Sequence, residues 1–166
     1  MRVIAIDPGT QCGYAFTDDG KVHVEQSGVW NLKPDRHSGG GMRYLRARKY
    51  LTELISGVDE VAVFYEEVRR HMGTDAAHVY GGIVGVITSL CEEQEIPYQA
   101  IPVGTIKKRA TGKGNANKQA MIEAACNTFM SGNEAISELH PFPIKDDNQA
   151  DALWILQCGI DELREG

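Results

Sequence analysis

Three acids of this 166-residue chain stand against apolar runs: Asp7 ends VIAI, Glu66 follows VAVFY, and Asp151 lies inside DDNQADALWIL. Carboxylates beside apolar segments are costly to bury unless something compensates them. In the last segment, Asn148 and Asp151 are three residues apart and Asp147 and Asp151 are four apart. On a helix, either spacing puts two oxygen ligands on one face. Hard oxygen donors without thiolates or paired histidines suit Mg²⁺ or Mn²⁺. Phosphodiester hydrolysis needs a nucleophilic water and a stabilised leaving oxygen, and two cations roughly 3.5–4 Å apart supply both. Asp7, Glu66 and Asp151, with Asn148 or Asp147 on the same helical face as Asp151, are therefore expected to offer oxygens to two Mg²⁺, with Mn²⁺ able to substitute. Plainer roles exist for each acid. Asp7 before Pro8-Gly9 suits an Asx turn, Glu66 a strand-end acid, and Asp146-x-x-Gln149 a capping box on the last helix.

Those acids need rigid elements behind them. Residues 2–7 alternate and are rich in β-branched types, which predicts a strand ending on Asp7. Two further strands are expected over 12–17 and 22–28, joined at Asp18-Asp19-Gly20. Residues 31–41 read as a loop, and 42–55 as a helix with arginines on its outer side. A buried strand over 61–65 ends on acids. A helix from about Thr74 or Asp75 to Glu93, a strand over 98–102, a short helix over 103–110 and a helix over 117–130 follow. A loop over 131–145 then leads into a last helix over 147–163. The pattern predicts one α/β domain over 1–166, a mixed five-stranded sheet flanked by helices. In such sheets, ligand sites gather at the carboxyl ends of strands, where Asp7 and Glu66 fall.

Net charge is −6, yet the charge is unevenly spread. No acid lies between Ile96 and Ile122, whereas Lys107, Lys108, Arg109, Lys113 and Lys118 do. Lys33, Arg36, Arg43, Arg46, Arg48 and Lys49 face only Asp35. Two basic stretches on an acidic background are compatible with nucleic acid. The four cysteines form no C-x-x-C pair and read as buried free thiols. No run approaches the roughly 18 apolar residues of a membrane span, and MRVIAID opens as a strand rather than a leader. A cytoplasmic protein is expected, in the bacterial host if phage-encoded, with neither a membrane nor a nucleotide cofactor as partner.

IDPGTQCGYA, YEEV, GTIKKRATGKGNANK and QADALWI, in that order, resemble the RuvC family of Holliday junction resolvases in the RNase H-like superfamily. The resemblance runs over about residues 2–158, and its last two motifs look most like phage-encoded members. It implies an RNase H-like fold and a crossover junction endodeoxyribonuclease acting on four-way junctions as a homodimer. Carried over, Asp7, Glu66 and Asp151 become metal ligands and catalytic residues. Lys118 becomes a lysine beside the scissile phosphate, and Lys107 a lysine of the same DNA-facing segment. The family usually has Asp or His three residues before the last Asp. Asn148 departs from this, and Asp147 can compensate. Relatives often carry an aromatic wedge just after the YEEV-like motif. Arg69, Arg70 and His71 stand there here, and phosphate contacts or guanidinium stacking are expected instead. Arg43 and Arg46 are expected to reach DNA from the first basic stretch. Gly81, Gly82 and Gly85 allow close helix approach, either to a second subunit or within the chain.

Three other readings compete. One is a broader structure-selective nuclease acting on forks, flaps or hybrids. Another is an actin-like ATPase, for which the chain has no second lobe. The third is a catalytically weak junction-binding protein, made conceivable by Asn148.

Overall fold

The computed structural model describes residues 1–69, 73–130, 144 and 146–166. Five strands form one sheet: β1 (Arg2–Asp7), β2 (Gln11–Thr17), β3 (Ser27–Asn31), β4 (Val61–Glu67) and β5 (Tyr98–Pro102). Their spatial order is β3-β2-β1-β4-β5. The first three pair antiparallel as a meander, and β4 and β5 add in parallel to β1. The helices are α1 (Met42–Ile55), α2 (Thr74–Glu93), α3 (Val103–Thr111), α4 (Lys118–Phe129) and α5 (Asp147–Glu165).

Alternation along the strands sorts the core into two layers. Val3, Ala5, Ala62, Phe64 and Ile101 pack with Leu153, Trp154, Leu156 and Met121 on the α4–α5 side. Ile4, Ile6, Val61 and Val63 pack with Leu51, Ile83, Ile87 and Leu90 on the α1–α2 side. Asp7 and Glu66 continue the first of these rows, so both carboxylates face α5.

The mixed sheet and its helices match the expectation, with one shifted strand. Residues 22–28 were expected in β3, but Val24–Gln26 forms a 3-10 turn and the strand starts at Ser27. Asp19 holds the Lys21 amide at 3.0 Å and the His23 ring at 3.0 Å, which curls that segment away from β2. Neither Thr74 nor Asp75 caps α2, whose N-cap is Gly73 without a side-chain bond. Asp146 caps α5, accepting from the Gln149 amide at 3.0 Å. The Gln149 side chain itself donates to Ser27 Oγ at 2.9 Å. Leu163, near the end of α5, is 41% exposed. Cys12, Cys91 and Cys158 are buried and all four thiols are free. Except for Ile144, the expected loop over 131–145 lies outside the described residues, as do Arg70 and His71.

Candidate active site

β1 and β4 run parallel with Ile6 opposite Tyr65, so one residue further along Asp7 lies beside Glu66 at the carboxyl edge. At that edge the two carboxyls are close enough to act on each other electrostatically. Asp7 is 9% exposed. Burial, then the charges of Glu66, Asp151 and Asp147, drive its pKa well above the usual carboxylate range. Burial also raises Glu66, against the opposing pull of Lys107.

The helix carrying the third acid reaches the edge because of a glycine. Gly13 pairs with Asp7 across β1 and β2. A Cβ at Gly13 would overlap the Asn148 carbonyl and press on Ala152. Any larger residue there would push the first turn of α5 off the sheet. With glycine in place, Asp151 comes within electrostatic reach of Asp7 and Glu66. Burial, Glu66 and Asp147 push the Asp151 carboxyl up to about 7, although Lys107 and Lys118 pull it down.

Asp147, one turn before Asp151, forms an ion pair with Lys118, the first residue of α4. It also adds to the negative potential felt by Asp7 and Asp151. The main chain of Asn148 sits against Gly13. Glu66 is positioned from behind. The Tyr80 hydroxyl donates to the Glu66 carbonyl at 2.9 Å and accepts from the Val68 amide at 3.0 Å, fixing the end of β4. Neither Gly13 nor Tyr80 was singled out in the sequence reading. A lone glycine inside the strand QCGYAFT was the available signal for the first, since strand glycines mark close backbone approach. Nothing marked Tyr80.

A donor set of hard oxygens at one sheet edge, its members raising one another's pKa, suits a divalent cation. Among the described residues, no three acidic, histidine or cysteine side chains close tightly enough to grip one ion together. Like charges repel, and Lys107 and Lys118 are the charges that offset them.

The expected DNA contacts are dispersed. Lys107 and Lys118 lie within reach of the carboxylates. Lys108 and Lys113 are exposed. Arg109 turns away to Asp161 at 2.7 Å. Arg69 is exposed and pairs with Glu67 at 3.2 Å. Arg46 donates to the Lys33 carbonyl at 2.6 Å and pairs with Asp35 at 3.5 Å. Arg43 lines a cleft beside the β1–β2 turn. Arg70 lies outside the described residues.

A mixed five-stranded sheet with carboxylates at its carboxyl edge and a helix-borne acid near them is the arrangement of the RNase H-like fold. Within that fold the chain is similar to RuvC proteins. It is 26% identical over 160 residues to the crossover junction endodeoxyribonuclease RuvC of Chlamydia muridarum, covering 94% of this chain and 89% of that protein. It is 28% identical over 158 residues to the protein of the same name from Brachyspira hyodysenteriae, covering 93% and 91%. Thermus thermophilus RuvC solved in complex with a Holliday junction substrate superposes with a TM-score of 0.70 at 22% identity, covering 99% of this chain and 96% of that one. The same protein in another structure gives 0.67 at 21% identity. No protein-family model matches the chain. Among the described residues, no helix is long and apolar enough to cross a membrane.

Proposed function

We propose that the chain is a single-domain, divalent-metal-dependent endonuclease that cleaves four-way DNA junctions by paired symmetric nicks in recombination, repair or phage DNA processing. The observation that carries the reading is the meeting of Asp7, Glu66 and Asp151 with Lys107 and Lys118 at one sheet edge. Relatives matched over almost their whole length bear the name crossover junction endodeoxyribonuclease.

Asp7, Glu66, Asp151 and Asp147 would hold two Mg²⁺ or Mn²⁺. Bound there, such ions lower the pKa of water and stabilise the leaving oxygen. The chain's own groups do the rest. Asp7 and Glu66 are held by adjacent parallel strands and Asp151 by a helix seated on Gly13, so their backbones are placed in advance and the side chains would close on an ion. Lys118, with its side chain 83% exposed, presents an ammonium above the carboxylates where a phosphate oxygen gains charge. Lys107 offsets the negative potential of Glu66 and Asp151, which would otherwise repel DNA. A homodimer gives two sites for two nicks and matches the two-fold symmetry of the junction. The compartment would be the cytoplasm of a bacterium or of a phage host.

One observation favours a broader range of branched DNA: exposed Arg69 stands just after YEEV, where the family resemblance implies an aromatic wedge. Incubating labelled junctions, forks, flaps and RNA–DNA hybrids with Mg²⁺ or Mn²⁺ tests both readings. Wild type should nick junctions symmetrically, and Asp7→Asn should lose at least about 10³-fold in rate, in line with removal of a central electrostatic group. Near wild-type cleavage by Asp7→Asn would overturn the assignment.

A further inference from the structure

A cleft of about 650 Å³ opens beside the Pro8–Thr10 turn that follows Asp7, between the start of α1 and the first half of α2. It lies on the α1–α2 side of the sheet, whereas the carboxylates face α5, so the turn is a ridge with the acids on one flank and the cleft on the other. Arg43 lines the cleft, and its Nε is buried with no hydrogen-bond partner. A buried, unsatisfied donor on a charged group is expensive and calls for an explanation. Asp75 lines the same cleft, but Arg43 is not paired with it or with any other described acid. Tyr44, His78 and Tyr80 add ring surfaces and polar atoms to the walls. Tyr44 is fixed in place against Gly82, where a Cβ would overlap its ring. Tyr80 joins the cleft to the end of β4 that carries Glu66.

We infer that this cleft receives the nucleotide next to the scissile phosphodiester, with Arg43 donating to its phosphate. Its volume fits one nucleoside unit with surrounding water. The inference rests on the nuclease reading above, because a strand crossing the Pro8–Thr10 ridge would offer one phosphate to the carboxylates and a neighbouring one to Arg43. Arg43 then acts in substrate positioning rather than in the chemistry.

The test is a double-mutant cycle between protein and DNA. Junction binding is measured for Asp7→Asn and for Asp7→Asn carrying Arg43→Gln, on junctions with single neutral methylphosphonates near the cut. One position within two nucleotides of the cut should weaken binding by Asp7→Asn roughly tenfold, the scale of one charged hydrogen bond. The same position should leave the Arg43→Gln protein unaffected. Arg43→Gln should also flatten the slope of log affinity against log salt by about 1. In the active protein, Arg43→Gln should raise KM far more than it lowers kcat. Ala76→Phe, which fills the cleft from an exposed helix position, should mimic Arg43→Gln and guards against a folding artefact. Unchanged affinity, salt slope and methylphosphonate profile in both variants would overturn the cleft assignment while leaving the nuclease reading intact. Retained cleavage in Asp7→Asn would instead overturn the nuclease reading.

Discussion

Residues 33–49 and 107–118 are both rich in lysine and arginine, yet the fold treats them differently. In the first stretch half of the cations are neutralised at the surface. Arg46 pairs with Asp35 at 3.5 Å, Arg48 with Glu93 at 2.6 Å and Lys49 with Glu53 at 3.9 Å. In the second, Arg109 is taken by Asp161, but Lys107 and Lys118 face the carboxylates of the sheet edge. The number of cations is similar. What differs is where the acids that meet them stand: on the outer surface for the first stretch, at the sheet edge for Lys107 and Lys118. A basic stretch is thus a reservoir of charge, and the packing of neighbouring elements decides which members can meet a phosphate.

Lys118→Ala should show the largest difference between the stretches. It removes a donor from the reacting phosphate and should lower kcat about 10²-fold with a smaller change in junction affinity. Single-turnover rates at saturating protein would check this, and a purely affinity-based defect would place Lys118 with the surface cations.

Replacing Asp147 comes next. Asp147→Asn should weaken divalent-ion binding about 10-fold, whereas Asn148→Ala should change it less than about threefold, as expected for a ligand and a bystander. Calorimetric titration with Mn²⁺ separates them, and the reverse ranking would restore Asn148 as the fourth ligand.

The crowded acids also set a pH dependence. The folded Asp151 carboxyl titrates at about 7, against an ordinary value of 3.8. The folded chain therefore binds more protons than the unfolded chain between those values, and stability falls as pH rises through this window. Without divalent ions, Asp151→Asn should be more stable than wild type at pH 8 by roughly 2 kcal/mol, about 5 °C in Tm. The gap should shrink as pH falls and close only near pH 4, at the lower end of the window. Thermal melts in chelator would show this, and equal Tm values at pH 8 would mean that the acids do not destabilise one another. The smallest effect belongs to the first basic stretch. Arg48→Ala should change junction affinity less than about threefold, since exposed ion pairs contribute only about 0–1 kcal/mol.

Much of this architecture was legible in the chain. β1, α1 and β5 appear where alternation, helical spacing and turn residues put them, because local periodicity reflects which face is buried. The β3 shift was not legible, because Asp19 side-chain bonds to Lys21 and His23 outcompete strand pairing over that segment. Asp7 and Glu66 were legible as site residues, being acids at the ends of apolar strands. Their closeness to each other was not, since it depends on the register that sets Ile6 beside Tyr65.

By itself, the sequence determined the strand-end acids, the helical spacing of Asp147, Asn148 and Asp151, and the ordered motifs shared with RuvC proteins. These are properties of neighbouring residues and of their periodicity. Only the tertiary structure decided that α5 descends onto Gly13 and that Asp147 meets Lys118. The same holds for Lys107 facing the acids while Arg109 does not, and for Arg43 being left unpaired beside the β1–β2 turn. Each of these depends on where distant segments come to rest, and electrostatic energy falls off with distance, so charges far apart in the chain acquire their meaning only when folding brings them within a few ångströms.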